Sequence, residues 1–323
     1  MTRPTHPIQR SGLTLVELLV VIAVIGILMG MLLPAVQQSR EAARKAECQS
    51  HQRQIGLALH AWHDAVGHFP PAHLQDPLQI ANNYNQPAPY GREYYFSWLA
   101  RILPYIEQNN LHSDVRYDEW PWPNPSQGLP GGGYINEVDI PLYLCPSNPY
   151  KEKTVFDLPP VVAFAQTHYL GVSGTDQFHY DGILHINSRV RLTDIKDGTS
   201  QTLLVGERPP VYDGYTGWWF AGSGWYPWFG AADVVLGTEE RIAVSGESTP
   251  MGPQSFYQPG SFQLEDDGYG WDKHAWHFWS AHPGGAFFLF ADGHVQFIAY
   301  DVDRELLTSL GTCHSGEVSR GDF

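Results

Sequence analysis

Two side chains near the end of the sequence have types that suit acid–base chemistry. Asp292 follows His282 by ten residues, and an imidazole beside a carboxylate is a common arrangement for moving protons. However, Asp292-Gly293 separates two apolar runs, which is the strongest short-range signal for a β-hairpin. Ten extended residues span about 30 Å, so the pattern does not bring the two side chains together. We therefore predict that Asp292 and Gly293 form a turn and that His282 holds a loop in place.

Two histidine pairs and two groups of carboxylates have spacings compatible with metal binding. They are His60/His63, His274/His277, Glu265-Asp266-Asp267-Gly268 and Asp301/Asp303. No Cys or second His pair completes a zinc pattern, and the carboxylates match no known order of Ca²⁺ ligands. We expect no cofactor, with Ca²⁺ as the alternative. Because no nucleophile motif or phosphate-binding glycine loop occurs in the sequence, we do not expect an enzyme.

The composition is that of an acidic chain rich in aromatic residues. Of 323 residues, 16% are charged and 13% aromatic, with 25 prolines and 32 glycines, which favours a loop-rich domain containing β-strands. The formal net charge is −15. Since an acidic protein repels the phosphate backbone, we expect no nucleic-acid partner.

A long apolar segment follows a short polar leader. Residues 1–12 carry Arg3 and Arg10, whereas residues 13–36 are uncharged apart from Glu17. As a helix rising about 1.5 Å per residue, this segment reaches about 36 Å, enough to cross a bilayer core of about 30 Å. A secretory signal peptide has a shorter apolar region and an Ala-x-Ala site. A plain membrane anchor leaves Glu17 unexplained, because an ionisable group in such a segment costs up to about 3 kcal/mol.

The sequence Arg10-Ser-Gly-Leu-Thr-Leu-Val-Glu17 resembles the type IV prepilin cleavage and methylation motif. The resemblance implies that prepilin peptidase cuts after Gly12 on the cytoplasmic face and that the new N-terminus, Leu13, is methylated. Leu13 stands where the family usually has Phe. Glu17 becomes the fifth residue, where its carboxylate neutralises the N-terminal amine of a neighbouring pilin-like subunit. Pro34 also matches the pilin pattern and is expected to kink the helix.

An amphipathic pattern continues the helix through residues 37–67. Its apolar stripe consists of Cys48, Ile55, Leu59, Trp62 and Val66. Gly67 and the prolines after it end the pattern, so we predict one helix from Leu13 to about Val66. The predicted fold class is α+β and pilin-like: a long helix packs on a largely antiparallel β-sheet domain with long loops in residues 68–310. Residues 311–323 form a C-terminal tail.

Residues 68–310 also contain patterns for one further helix and five strands. The helix is predicted near Ser97–Leu111, and the strands at Thr167–Val172, Gly182–His185, Thr202–Glu207, 286–291 and 294–299.

Four motifs extend the resemblance over nearly the whole chain. They are Cys48-Gln-Ser-His, Leu144-Cys145-Pro-Ser, Asp194-Ile-Lys-Asp197-Gly198 running on to Glu207, and His282-Pro-Gly-Gly followed by Asp292-Gly293. Together they resemble a prepilin-like family whose domain is of unknown function (number 1559) and whose His-x9-Asp-Gly pattern is associated with prepilin-type processing. This resemblance implies an architecture and a location but no chemistry, so we interpret Asp197, Gly198 and Glu207 as structural.

The resemblance also implies a single-pass protein of the cytoplasmic membrane whose domain is periplasmic or extracellular. In that oxidising compartment Cys48 and Cys145 could form a disulfide that clamps the helix to the domain, with Cys313 as the odd thiol. At this stage the pairing stays open.

Two functions remain open. One is a pilin or pseudopilin-like subunit that joins a type IV pilus or a type II secretion assembly through its N-terminal helix. The other is a membrane-tethered binding protein for a glycan or a protein. Its ligand would stack on aromatic residues at 218–220 and 225–228 and on Trp271, Trp276 and Trp279. Burial of these aromatic residues in the domain core is the simpler interpretation.

Overall fold

The computed structural model describes residues 15–77, 93–119, 121, 124, 132–149, 153–156, 162–176, 178–210, 217–222, 233–239, 241–244, 247–250 and 273–316. The chain divides into two compact units, Met1–Arg44 and Lys45–Phe323. The long helix α1 spans Leu15–Val66.

The part of α1 in the first unit is apolar and uncovered. Its large apolar side chains are about half exposed or more, from 78% at Leu15 to 46% at Val36. By its length and composition, α1 is long and apolar enough to cross a membrane. Such a surface is stable only against lipid or other apolar helices. Pro34 lies inside the helix, and a kink there stays a prediction.

The part of α1 in the second unit packs closely on the domain. Its buried residues are Cys48, Gln52, Ile55, Gly56, Ala58 and Leu59. Gln52 Nε2 donates a hydrogen bond to the Phe287 carbonyl at 2.8 Å. A Cβ on Gly56 would lie 2.9 Å from Leu289 Cδ1, so a larger residue here would displace the Leu289 side chain.

Helix α1 ends directly before Gly67, as the sequence predicts. Gly67 adopts a φ of 91°, and its N–H donates to the His63 carbonyl at 2.7 Å, which is the usual termination by a left-handed glycine. Val66 belongs to the predicted apolar stripe, but as the last residue of the helix it is 46% exposed.

Nine strands occur within the described residues. They are β1 (Thr154–Phe156), β2 (Val162–Phe164), β3 (Tyr169–Gly174), β4 (Leu203–Glu207), β5 (Val235–Gly237), β6 (Arg241–Val244), β7 (Glu247–Pro250), β8 (Gly285–Phe290) and β9 (Val295–Ala299). The central sheet has the order β5-β3-β4-β8-β9, and β1-β2 and β6-β7 form two separate pairs. Within the central sheet only β3 and β5 are parallel. The predicted α+β class with a largely antiparallel sheet is therefore confirmed.

The single helix predicted near Ser97–Leu111 is wrong, because the segment forms three short pieces. They are α2 (Trp98–Arg101), a 3₁₀ turn (Leu103–Ile106) and α3 (Asn109–Asp114). Pro104 lacks the N–H that would continue α2. Glu107 then has a φ of 63°, which turns the chain before α3 begins.

The strand predicted at Gly182–His185 is also wrong. Gly182 and Leu184 donate backbone hydrogen bonds to the Ser173 and Val172 carbonyls at 2.9 and 3.2 Å, so the segment runs beside β3. It does not continue as a strand, because the His185 carbonyl accepts its bond from a loop residue, Ala72.

The central sheet separates two apolar clusters. Leu289 of β8 packs in the cluster that contains Ile55 of α1. Phe288 and Phe290 pack in the other cluster, which includes residues of the C-terminal helix α4 (Arg304–Gly311). Since successive strand residues point to opposite faces, β8 is covered on both sides, which explains its uninterrupted apolar sequence.

We predict that acid destabilises the domain through His73. This side chain is fully buried, with its ring stacked on Tyr95 and Nε2 3.4 Å from Gln75 Oε1. Burial lowers the pKa of His73 from 6.5 to about 4; the contact with Gln75 opposes this shift, and the charge of Arg101 adds to it. Unfolding exposes the ring and restores the higher pKa, so below pH 6.5 protons bind preferentially to the unfolded chain. The free energy of unfolding should be unaffected above pH 6.5 and fall by roughly 3 kcal/mol as the pH approaches 4.

Urea unfolding of the full-length protein in detergent, followed by tryptophan fluorescence across this pH range, measures the effect. His73→Gln cannot be protonated and should show a shallower loss of stability with falling pH. His68→Gln, at a partly exposed histidine nearby, keeps His73 and should follow the wild-type curve. Parallel curves for His73→Gln and wild type would contradict the assignment.

Candidate functional site: a buried cluster of cysteine, glutamate and histidine

Four side chains from distant parts of the sequence meet inside the domain: Cys48, Cys145, Glu207 and His282. Each offers one sulfur, oxygen or nitrogen atom, and these atoms all lie within 4.8 Å of one another. All four residues are buried. Each belongs to a different one of the four motifs in the sequence, and the convergence of these motifs was not predicted. The signal that could have indicated it is that every motif supplies one residue of a type that binds metal ions.

Four different elements supply these side chains. Cys48 lies on α1, and Cys145 follows the 3₁₀ turn at Pro141–Tyr143. Glu207 is the last residue of β4, and His282 precedes β8 by three residues. Because β4 and β8 are antiparallel neighbours, the end of one lies beside the start of the other.

The two cysteines form a disulfide, with their Cα atoms 5.4 Å apart. Hydrogen bonds hold the loop of Cys145 against its surroundings. The backbone N–H of Cys145 donates to His168 Nδ1 at 2.8 Å, and His51 Nδ1 of α1 donates to the Leu144 carbonyl at 3.1 Å. The disulfide therefore joins α1 covalently to a loop that it already contacts.

His282 lies between a sulfur atom and the carboxylate. Its Nε2 is 3.5 Å from Cys145 Sγ and 3.7 Å from Glu207 Oε1. The other carboxylate oxygen, Glu207 Oε2, accepts a hydrogen bond from the backbone N–H of Phe287 at 2.8 Å. The ring of His282 packs edge-on against the ring of Phe287, with centroids 5.6 Å apart. Both polar side chains are thus oriented by the start of β8.

Two tyrosines surround the carboxylate. Tyr169 lies directly opposite Glu207 in the pairing of β3 with β4. Burial raises the pKa of Tyr169 well above its ordinary value, and the negative charge of Glu207 raises it further. Burial also raises the pKa of Tyr300, whose hydroxyl bonds to the backbone of Ser280, with Glu207 adding to the shift. Both phenols therefore stay protonated near Glu207.

Asp197 and Gly198 lie in a different place, where they hold the C-terminal tail. Asp197 Oδ2 accepts hydrogen bonds from the Ser315 N–H at 3.1 Å and from the Ser315 and Thr312 hydroxyls. Asp197 Oδ1 accepts from the Gly316 N–H at 2.7 Å. Gly198 has a φ of 96°, which a glycine allows. The first residues of the predicted tail are therefore bound to the domain.

Asp292 and Gly293 form the turn between β8 and β9. Gly293 has a φ of 92°, and its N–H donates to the Phe290 carbonyl at 3.0 Å. Asp292 Oδ1 accepts from the backbone N–H of His294 at 3.0 Å and contacts His294 Nδ1 at 2.6 Å. The carboxylate of Asp292 thus serves the turn, whereas His282 belongs to the buried cluster.

The residues proposed for processing, assembly and metal binding fall in several regions. Glu17 lies on the exposed apolar part of α1. Gly12, Leu13 and the carboxylates at 265–267 lie outside the described residues. Asp303 caps α4 by accepting from the Leu306 N–H at 3.0 Å. In the part of the chain that the structure describes, neither histidine pair belongs to a group of three or more potential metal ligands.

The aromatic residues considered for ligand stacking are buried wherever the structure describes them. They are Trp218, Trp219, Phe220, Trp276 and Trp279, and none is more than 6% exposed. Residues 225–228 and Trp271 lie outside the described residues. These five residues therefore fill the interior and offer no stacking surface.

Comparison with known proteins confirms both resemblances. The family described as Protein of unknown function (DUF1559) matches residues 37–305, which is more than half of the chain. The Prokaryotic N-terminal methylation motif matches residues 9–33. No curated protein and no solved structure matches the chain.

We predict that removing the disulfide strongly destabilises the domain. The double substitution Cys48→Ser with Cys145→Ser should lower the free energy of unfolding by about 4 kcal/mol, because the cross-link joins residues separated by 97 positions and restricts the unfolded chain. Cys313→Ser is the matched control, since its hydroxyl can replace the thiol that donates to the Asp181 carbonyl. Urea unfolding without added oxidant or reductant measures the stability of both proteins. An equal loss of unfolding free energy in the two proteins would argue against the cross-link.

We also predict that Asp197 is required to hold the C-terminal tail. Asp197→Ala leaves the backbone N–H groups of Ser315 and Gly316 without this acceptor and should lower the free energy of unfolding by about 3 kcal/mol. Asp194→Ala removes a carboxylate three residues earlier, whose partner Arg191 is exposed, and should cost much less. Limited proteolysis should remove the tail of Asp197→Ala first. Equal protection of the tail in the two variants would contradict the role.

Proposed function

Because the chain belongs to the DUF1559 family and carries the prokaryotic N-terminal methylation motif, we propose that this pilin-like, membrane-anchored protein is a structural or minor subunit of a filament. The filament is of the type IV pilus or type II secretion pseudopilus class. The motif implies that prepilin peptidase processes the chain. Assembly uses the apolar part of α1 as its contact with other pilin-like subunits.

One observation carries the proposal: a carboxylate, Glu17, lies on a helix surface that is otherwise apolar. The neighbours of Glu17 in sequence, Val16 and Leu18, are 69% and 54% exposed in the single chain. In lipid, an ionisable side chain in an apolar helix costs up to about 3 kcal/mol. In a bundle of helices, the methylated amine of another subunit's Leu13 neutralises it, and the apolar side chains of both subunits pack together. Glu17 thus favours assembly over the isolated membrane-bound state.

The disulfide supports an extracytoplasmic location for the domain. Disulfides persist in oxidising compartments and are rare in the cytoplasm. Cys48 and Cys145 form one in the domain core. A periplasmic or extracellular domain on a cytoplasmic-membrane anchor agrees with this chemistry.

The described residues contain one cluster of potential metal ligands, and its burial agrees with a non-catalytic role. Glu207, His282 and both cysteines are at most 1% exposed, so no substrate reaches them in the folded state. The alternative function, glycan or protein binding by exposed aromatic residues, gains no support because the described ones are buried.

We predict that Glu17→Ala separates processing from assembly. The variant should still be cut after Gly12, because the cleavage position is unchanged, but its incorporation into filaments should fall at least about tenfold, as expected for a loss above 1.4 kcal/mol. Mass spectrometry of the mature N-terminus reports processing, and immunoblotting of sheared filaments reports incorporation.

Glu47→Ala provides the matched control. Glu47 is also an exposed glutamate of α1, but it lies beyond the apolar segment. It should assemble as the wild type does. Normal incorporation of Glu17→Ala would overturn the proposed function.

A further inference from the structure

The buried cluster is not explained by assembly through the N-terminal helix. A disulfide is neutral and packs like an apolar group, so it requires no charged neighbours. Here a carboxylate and an imidazole lie beside it, and both are fully buried. All four side chains are of types that bind metal ions, and their ligand atoms lie within 4.8 Å of one another. The composition of the cluster therefore points to a second state of the two sulfur atoms.

The four side chains are a complete ligand set for Zn²⁺ once the cysteines are reduced. Two thiolates, one imidazole and one carboxylate are all common zinc ligands, and four protein ligands characterise a closed structural site. The mixture of soft sulfur with nitrogen and oxygen is less suited to Mg²⁺ or Ca²⁺, which prefer oxygen alone.

The distances between the potential ligand atoms suit the binding of a single metal ion. Zinc bonds of about 2.0–2.3 Å in a tetrahedral arrangement place ligand atoms roughly 3.3–3.8 Å from one another. Cys145 Sγ and His282 Nε2 are 3.5 Å apart, and His282 Nε2 and Glu207 Oε1 are 3.7 Å apart. These three atoms therefore lie at separations that one ion can bridge.

The surroundings of Glu207 resemble the outer shell of a metal site. The Phe287 N–H bonds to Oε2, which leaves Oε1 as the oxygen nearer to His282. Hydrogen bonds of this kind orient metal-binding carboxylates and contribute to metal affinity. Cys145 is likewise positioned by its backbone bond to His168.

We propose that the reduced form of this protein binds one Zn²⁺ through Cys48, Cys145, Glu207 and His282, and that disulfide formation releases the ion. The site is structural, since four protein ligands leave no position for a substrate. It is independent of the role of Glu17, so either proposal can fail without the other.

The chemistry of the two states balances. When Zn²⁺ binds, each thiol loses its proton and the two sulfurs become thiolate ligands. An oxidant of the disulfide class takes two electrons from the thiolates and two protons from water, and is itself reduced to a dithiol. The bond between Cys48 and Cys145 then forms, and Zn²⁺ leaves because the sulfurs no longer carry negative charge. A dithiol reductant reverses the reaction.

Cobalt(II) is the probe for the test, because Co²⁺ bound to thiolates shows sulfur-to-metal charge-transfer absorption. The full-length protein in detergent is unfolded in denaturant with a phosphine reductant and refolded without oxygen in the presence of Co²⁺. A second sample passes through the same cycle with its disulfide intact. We expect one Co²⁺ per chain, displaced by Zn²⁺, in the reduced sample and none in the oxidised sample.

Variants assign the ligands. Glu207→Gln can still accept the hydrogen bond from Phe287 and should lower the affinity for Co²⁺ at least about tenfold, as should His282→Ala. Cys48→Ser should reduce the charge-transfer absorption by about half. Cys313→Ser retains the cluster and should match the wild type in affinity and spectrum. Circular dichroism identifies the variants that fold, and the wild-type comparison does not depend on any of them.

Several results would overturn the proposal. One is a reduced wild-type protein that refolds without charge-transfer absorption. Another is absorption that persists when both Cys48 and Cys145 are replaced by Ser. A third is a reduced chain that fails to refold with Co²⁺ although the oxidised sample refolds in the same cycle.

Discussion

The close packing of α1 on β8 is the constraint on which the domain depends. Gln52 bonds to the Phe287 carbonyl, and Gly56 lets the helix approach Leu289. This contact covers one face of the central sheet, which would otherwise expose apolar side chains. It also sets the position of Cys48, one turn before Gln52, and so brings a sulfur atom to the end of β4. The architecture and the buried cluster have the same physical origin.

Sequence patterns predict the elements that obey local rules. The apolar run before Val36, the glycine that ends α1 and the turn at Asp292-Gly293 depend on neighbouring residues, and the structure agrees with each of them. The failures occur where tertiary contacts decide. Gly182–His185 has the composition of a strand, but its hydrogen-bonding groups are shared between β3 and a loop.

The functional residues show the same division. The motif that contains Glu17 is continuous in the sequence, so its chemistry can be inferred without a structure. The cluster of Cys48, Cys145, Glu207 and His282 is built from four separate segments, and their proximity depends on the register of β4 with β8 and on the packing of α1. Neither the strand register nor the helix packing can be inferred from any one motif. All four residues can be named from the sequence, but their proximity cannot be inferred from it.

The hydrogen bond between Gln52 and Phe287 joins positions 235 residues apart, and this separation has a consequence for the order in which the domain is completed. During synthesis at about 5–20 residues per second, β8 follows Cys145 by roughly ten seconds. Throughout that interval both thiols exist, but the strand that aligns them with Glu207 and His282 does not. Disulfide formation takes seconds to hours, so the synthesis of the last strands falls within the time in which the two sulfurs are joined.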